Sequence, residues 1–162
     1  MFILQNLPGP AVFLTGMVVM FLVVPWQRIK ELFWVGMVGG VVVGIVLVYL
    51  WQNVFGFWVY PGPSDLVHIL NLPVFLILSW FPFIIVFAHL LSQYDNYFLI
   101  GLINFAFAAG AVVIHFLLLN EGMLIYNNWS LFATFILSLI IHLGITLFLY
   151  GTGQMLNAEK LK

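Results

Sequence analysis

Five long stretches without a single charged residue decide what this chain can become. They run from about Pro8 to Val24, Leu32 to Trp51, Leu72 to Leu91, Tyr97 to Leu119 and Trp129 to Tyr150. A bilayer's hydrocarbon core needs roughly 20 apolar residues per helix, with a usable range near 17–25, and each stretch is of that order. Only 6% of the 162 residues are charged, against about 25% in a soluble domain. Lipid, not water, must solvate such a chain. The composition therefore predicts an all-α, polytopic transmembrane bundle of about five spans, folded as a single domain. It excludes a soluble enzyme and a disordered chain. Four basic residues are too few for a nucleic-acid partner. The absence of cysteine removes thiolate catalysis, Cys-ligated zinc and disulfides.

No Lys or Arg precedes Arg28, so the first stretch is expected to stay as a span rather than act as a cleaved secretory leader. Arg28 and Lys30 lie in the first connection, and Lys160 and Lys162 in the tail. Five spans put all four on one side, which the positive-inside rule makes cytoplasmic. The N-terminus is then outside and the C-terminus inside. The competing topology has four spans, with the first stretch in the interface and the N-terminus inside. The connection from Gln52 to Asn71 is long and greasy. Trp51, Trp58 and Tyr60 suit the headgroup level, and Pro61-Gly62-Pro63 is a turn. Ser64 is placed to cap a short helix through Asp65 to His68.

Four helix faces stand out. Gly36, Gly40 and Gly44 are four apart, the spacing that lets two backbones approach closely in a membrane. Gly101, Asn104, Ala108, Ala111 and His115 share one small, polar face of the fourth span, expected to point inward. Ser130, Thr134, Ser138, His142 and Thr146 recur every four residues in the fifth. That row drifts by about 40° per step and should wrap around its helix. In the third span Ser79, Pro82, His89 and Gln93 share a face, and Pro82 should bend the helix.

Two sets of residues could carry chemistry. Asp65, His68, His115 and Glu121 all fall near the outer end, where carboxylates and imidazoles together could act as acid and base on a lipid. No zinc-type spacing accompanies them, so no metal site is expected. Three of them also have a simpler structural use: a helix N-terminus for Asp65, an interfacial ring for His68, a solvated loop for Glu121. His89 and His142 sit at similar depth and could ligate a b-type haem; the simpler expectation is hydrogen bonding to Ser79, Ser138 or Asn104. No cofactor is otherwise expected. None of the charged residues is deep in a span, which argues against ion-coupled transport.

VPWQRIKEL after the first span, LPVFLILSWFPFIIVFAHLL in the third, and GMLIYNNWSLFATF entering the fifth resemble an uncharacterised family of small five-span membrane proteins from spore-forming Firmicutes. The likeness covers about a third of the chain. It implies a five-span topology in a bacterial cytoplasmic membrane, and no activity or catalytic residue. The leading expectation is a non-enzymatic membrane component that packs, through its glycine seam, with itself or with a larger assembly. A lipid-acting enzyme and a haem protein are the alternatives.

Overall fold

The computed structural model describes residues 8–61 and 65–153. Its helices are α1 (Pro8–Val23), α2 (Trp26–Val54), α3 (Val74–Leu91), α4 (Tyr97–Asn120) and α5 (Leu131–Gly151). Four of these, α2 to α5, are long and apolar enough to cross a membrane, and α1 is a shorter apolar helix of 16 residues. The chain is thus a helical membrane protein. α2 starts earlier than the uncharged stretch because Arg28 pairs with Glu31 at 2.6 Å one turn along the same helix, which lets the charged segment remain helical.

Local chemistry explains where the helices begin and end. Asn96 Oδ1 accepts the Phe98 and Leu99 amides at the start of α4, and Ser130 Oγ accepts the Ala133 amide at the start of α5. Gly122 and Gly153, both at φ 69°, end α4 and α5 in the left-handed conformation that glycine adopts freely. In α3 the helical winding lapses at Ser79, three residues before Pro82, where the ring and missing N–H disturb the preceding turn. α2 contains two wide π-wound segments, Gly36–Val42 and Leu50–Val54. Sequence periodicity gave no sign of them.

α3 is the hub, packed against α1, α2, α4 and α5. α1 runs parallel to it: Gly9 lies beside Asp65, whose carboxylate caps α3, and Gly16 beside Pro82. α2 runs antiparallel: Arg28 Nη2 donates to Ser92 Oγ past the end of α3 at 2.9 Å, Gly36 meets Ile85, Gly40 the Trp80–Phe81 backbone, and Gly44 Ile77. α4 and α5 form a tightly packed hairpin.

Two short ladders close the end opposite Arg28. β1 (Trp58–Val59) pairs antiparallel with β4 (Ile125–Tyr126), joining the α2–α3 and α4–α5 connections. β2 (His68–Ile69) and β3 (Leu72–Pro73) form a tight hairpin. That hairpin replaces the helix expected from Ser64 to His68; Ser64 itself lies outside the described residues. Its two turn residues, Leu70 and Asn71, both have positive φ (52° and 63°), the signature of a primed turn. Leucine rarely adopts that conformation, which is why the sequence concealed it.

Apolar side chains form two clusters. One surrounds Met20, Leu32, Ile85, Phe87 and Leu91 at the Arg28 end; the other surrounds Trp58, Leu76, Leu118 and Leu124 at the ladder end.

Candidate functional site

The α4–α5 hairpin is tied at two levels. Near the Arg28 end, the Thr146 hydroxyl reaches Asn104 Oδ1 at 3.1 Å and its own helix's His142 carbonyl at 2.8 Å, while Asn104 Nδ2 donates to the Ile100 carbonyl. Near the ladder end, His115 Nδ1 and Tyr126 Oη lie 2.6 Å apart, and Tyr126 Oη and Thr134 Oγ1 also 2.6 Å. The Trp129 indole N–H donates to Thr134 Oγ1 at 2.9 Å. Satisfying polar groups this way is obligatory where no water is available.

α3 stands off from that hairpin, leaving a cavity of about 360 Å³ between them. Apolar side chains such as Leu76, Ile84, Phe107 and Ile114 make most of its wall. Five polar side chains break it: Tyr60, Ser79, His115, Ser138 and His142. Its flank at Ala106 and Gly110 is exposed, and a Cβ on Gly110 would meet nothing within 4 Å. The small residues of α4 therefore leave a gap beside α3 rather than closing it. Burial holds the Tyr60 hydroxyl well above the usual tyrosine range, with Tyr126 nearby as a lesser cause. Tyr126 is raised by burial as well.

The inward faces are partly as expected. Asn104 and Ala108 are buried at 1% and 0% exposure. Gly101, expected to share their packing face, is exposed, and a Cβ there would meet nothing within 4 Å; it lies about 60° around the helix from Asn104. Of the α5 row, Ser130 is exposed at the start of the helix, whereas Thr134, Ser138, His142 and Thr146 are all buried, because the hairpin and α3 together cover a broad sector of α5. Gly36, Gly40 and Gly44 do form a close seam, and its partner is α3 of the same chain. A Cβ on Gly40 would lie 2.9 Å from Trp80 and Phe81 backbone atoms. Gly16 of α1 meets Pro82 and Phe83 of α3, and Gly9 meets the Asp65 carboxylate that caps α3, a seam that sequence reading missed. Their spacing of two turns was the available signal.

The outer quartet does not assemble. Asp65 is buried and accepts the Leu76 amide on Oδ2 at 2.9 Å, capping α3, while its Oδ1 has no partner among the described residues. His68 lies in β2, and Glu121 caps the end of α4 at the surface. Only His115 reaches the cavity. Among the described residues, no three His, Asp or Glu side chains converge as metal ligands would.

The two deeper histidines have different settings. His142 Nδ1 lies 2.7 Å from the Ser138 carbonyl, and its ring stands edge-on to Phe87 at 4.7 Å. His89 Nε2 lies 2.7 Å from Gln93 Nε2, and its Nδ1 has no partner among the described residues. His142 lines the cavity and His89 does not. Sequence reading also missed Tyr126 and Trp58 as neighbours of His115, and Tyr60 on the cavity wall, since each comes from a connection whose path no periodicity dictates. Comparison of the chain with protein-family models, curated proteins and solved structures finds no match.

Proposed function

We propose that this protein is a non-enzymatic binding component of a bacterial cytoplasmic membrane, holding a lipid-like molecule in the cavity between α3 and the α4–α5 hairpin. The observation that carries this reading is the cavity itself: about 360 Å³, walled by apolar side chains, with a few polar groups at defined positions. Ligand sites have this character, and their volumes start near 300 Å³. The exposed flank at Ala106 and Gly110 gives an acyl chain a lateral route from the bilayer.

In this reading α1 is a fifth span. It follows α3 along its length, and with the alternating directions of α2 to α5 it leaves Arg28 and Lys30 at the end where α5 finishes. Lys160 and Lys162 follow α5 in sequence, so the four basic residues share a cytoplasmic side. The ladder end, with Trp51, Trp58 and Trp129 packed together, is then the outer interface. Asp65, serving as a cap, and His115, held by Tyr126, have structural uses that favour binding over catalysis. Assembly with a second copy or a larger complex would use the lipid-facing sides of α4 and α5, because the α2 glycines face α3.

Native mass spectrometry of the protein extracted with its surrounding membrane tests this function. The wild type should carry a stoichiometric extra mass, and Gly110→Phe, which fills the exposed flank of the cavity, should lose it. A bare chain in both preparations, or a mass retained by the variant, would overturn the reading.

A further inference from the structure

The hydrogen bonds at the ladder end of the cavity determine which kind of headgroup it can receive. The Trp129 indole nitrogen can only donate, and it donates to Thr134 Oγ1 at 2.9 Å. Thr134's own hydrogen has an acceptor in the Ser130 carbonyl at 3.2 Å. The threonine oxygen has a second lone pair, and the Tyr126 hydroxyl, 2.6 Å away, donates into it. Having given its hydrogen to Thr134, Tyr126 Oη accepts from His115 Nδ1 at 2.6 Å. This assignment gives each donor of the Trp129–Thr134–Tyr126–His115 relay an acceptor. Running Tyr126 and Thr134 the other way round would take the threonine hydroxyl from Ser130.

His115 Nδ1 therefore carries the imidazole proton. A neutral ring is the form an apolar site tolerates, so Nε2 presents a bare lone pair. That nitrogen has no hydrogen-bond partner among the described residues, and the His115 side chain lines the cavity. What it lacks is a donor. From Leu118 near the ladder end to Phe107 beside His142, the cavity follows α4 for eleven residues, about 16 Å at 1.5 Å per residue. This is an elongated space, directed along the bundle, at the small end of ligand-site volumes. It suits one extended chain better than a two-chain phospholipid.

Resting on the reading of this cavity as a lipid site, we infer that its ligand is a single-chain lipid with a hydroxyl head, such as a long-chain alcohol or a monoacylglycerol. Its O–H donates to His115 Nε2, and its chain extends towards His142. Tyr126 acts here as a positioning residue: it fixes which imidazole nitrogen holds the proton without touching the ligand.

The matched pair hexadecanol and hexadecyl methyl ether separates the possibilities, since the ether retains the chain and the oxygen but cannot donate. Both are titrated into the wild-type protein in nanodiscs and bound fractions are read by native mass spectrometry. The alcohol should bind at least tenfold more tightly than the ether. In Tyr126→Phe, where the imidazole proton is no longer fixed on Nδ1, the preference should fall below threefold. Equal binding of alcohol and ether to the wild type would overturn the hydroxyl inference while leaving the lipid site intact. Binding of neither, together with no endogenous extra mass, would overturn the lipid site itself. The wild-type comparison decides the matter even if Tyr126→Phe does not fold.

Discussion

The two sides of α3 use small residues in opposite ways. Towards α2, Gly36, Gly40 and Gly44 bring two backbones into contact, and a single added Cβ at Gly40 would meet the Trp80 carbonyl group and the Phe81 nitrogen at 2.9 Å. Towards α4, Ala106, Gly110 and Ala111 line open space. The same compositional signal thus closes one interface and opens another. The difference lies in what α3 presents. At Gly40 it offers its own backbone at the lapse around Ser79, while bulky Phe83, Ile84 and Val86 line its side of the cavity. A small-residue stripe reports room for close approach, and the partner decides whether that room is filled.

The strongest way to break this contrast is a pair of identical substitutions. Gly40→Val forces a side chain against atoms that cannot rotate away, and should cost about 3 kcal/mol, the upper end of overpacking penalties. Gly110→Val enters open space and should stay within about 0.5 kcal/mol of wild type. Equilibrium unfolding in mixed micelles measures both. Equal losses would mean that the two interfaces are packed alike.

Asp65 should come next. It joins the start of α3 to Gly9 of α1, so Asp65→Ala removes the cap of the hub helix and should cost about 1–2 kcal/mol. Asp65→Asn keeps an acceptor and should lose less; an Asn variant as unstable as the Ala one would show that charge, not capping, is what matters. A smaller effect is expected inside the α4–α5 hairpin. Thr146→Val deletes the hydroxyl that reaches Asn104 across the interface, and membrane hydrogen bonds of this kind average about 0.6 kcal/mol. A loss several times larger would make the hairpin, rather than the glycine seams, the rigid part of the molecule.

Tyr60 gives the mildest test. Burial raises its folded-state value above the ordinary 10.0, so the unfolded chain ionises first as pH rises. Its stabilisation is complete below pH 10 and declines above that point. Tyr60→Phe should flatten the alkaline limb of a stability–pH curve and leave the curve at neutral pH nearly unchanged. A wild-type curve already flat above pH 10 would contradict the buried placement of this hydroxyl.

Much of the helical frame is legible in the residues alone, because five uncharged stretches admit few other folds in a bilayer. The buried sides of α4 and α5 are legible too: Asn104, Ala108, Ser138 and His142 are the polar or small members of apolar helices, and the structure buries them. The connections are not. Leu70 and Asn71 take left-handed conformations that no pattern announces, and the ladder from Trp58 to Tyr126 joins residues 68 positions apart. The site suffers for the same reason. His115 could be singled out, whereas Tyr126, which bonds it, and Trp129, which joins the same relay through Thr134, come from a connection whose path is set by tertiary contacts. The glycine seam was legible as a seam, but its partner, α3, was not.

His89 and His142 provide the most direct test of the open side of α3. They are almost equally buried, at 7% and 8% exposure, yet only His142 faces the cavity. Solid-state NMR on the protein in its native membranes can follow proton magnetisation from lipid methylenes to each imidazole, and four histidines give few enough signals to resolve. With a lipid chain in the cavity, His142 should receive magnetisation early and His89 late. Equally slow build-up at both would mean that no chain lies between α3 and the α4–α5 hairpin.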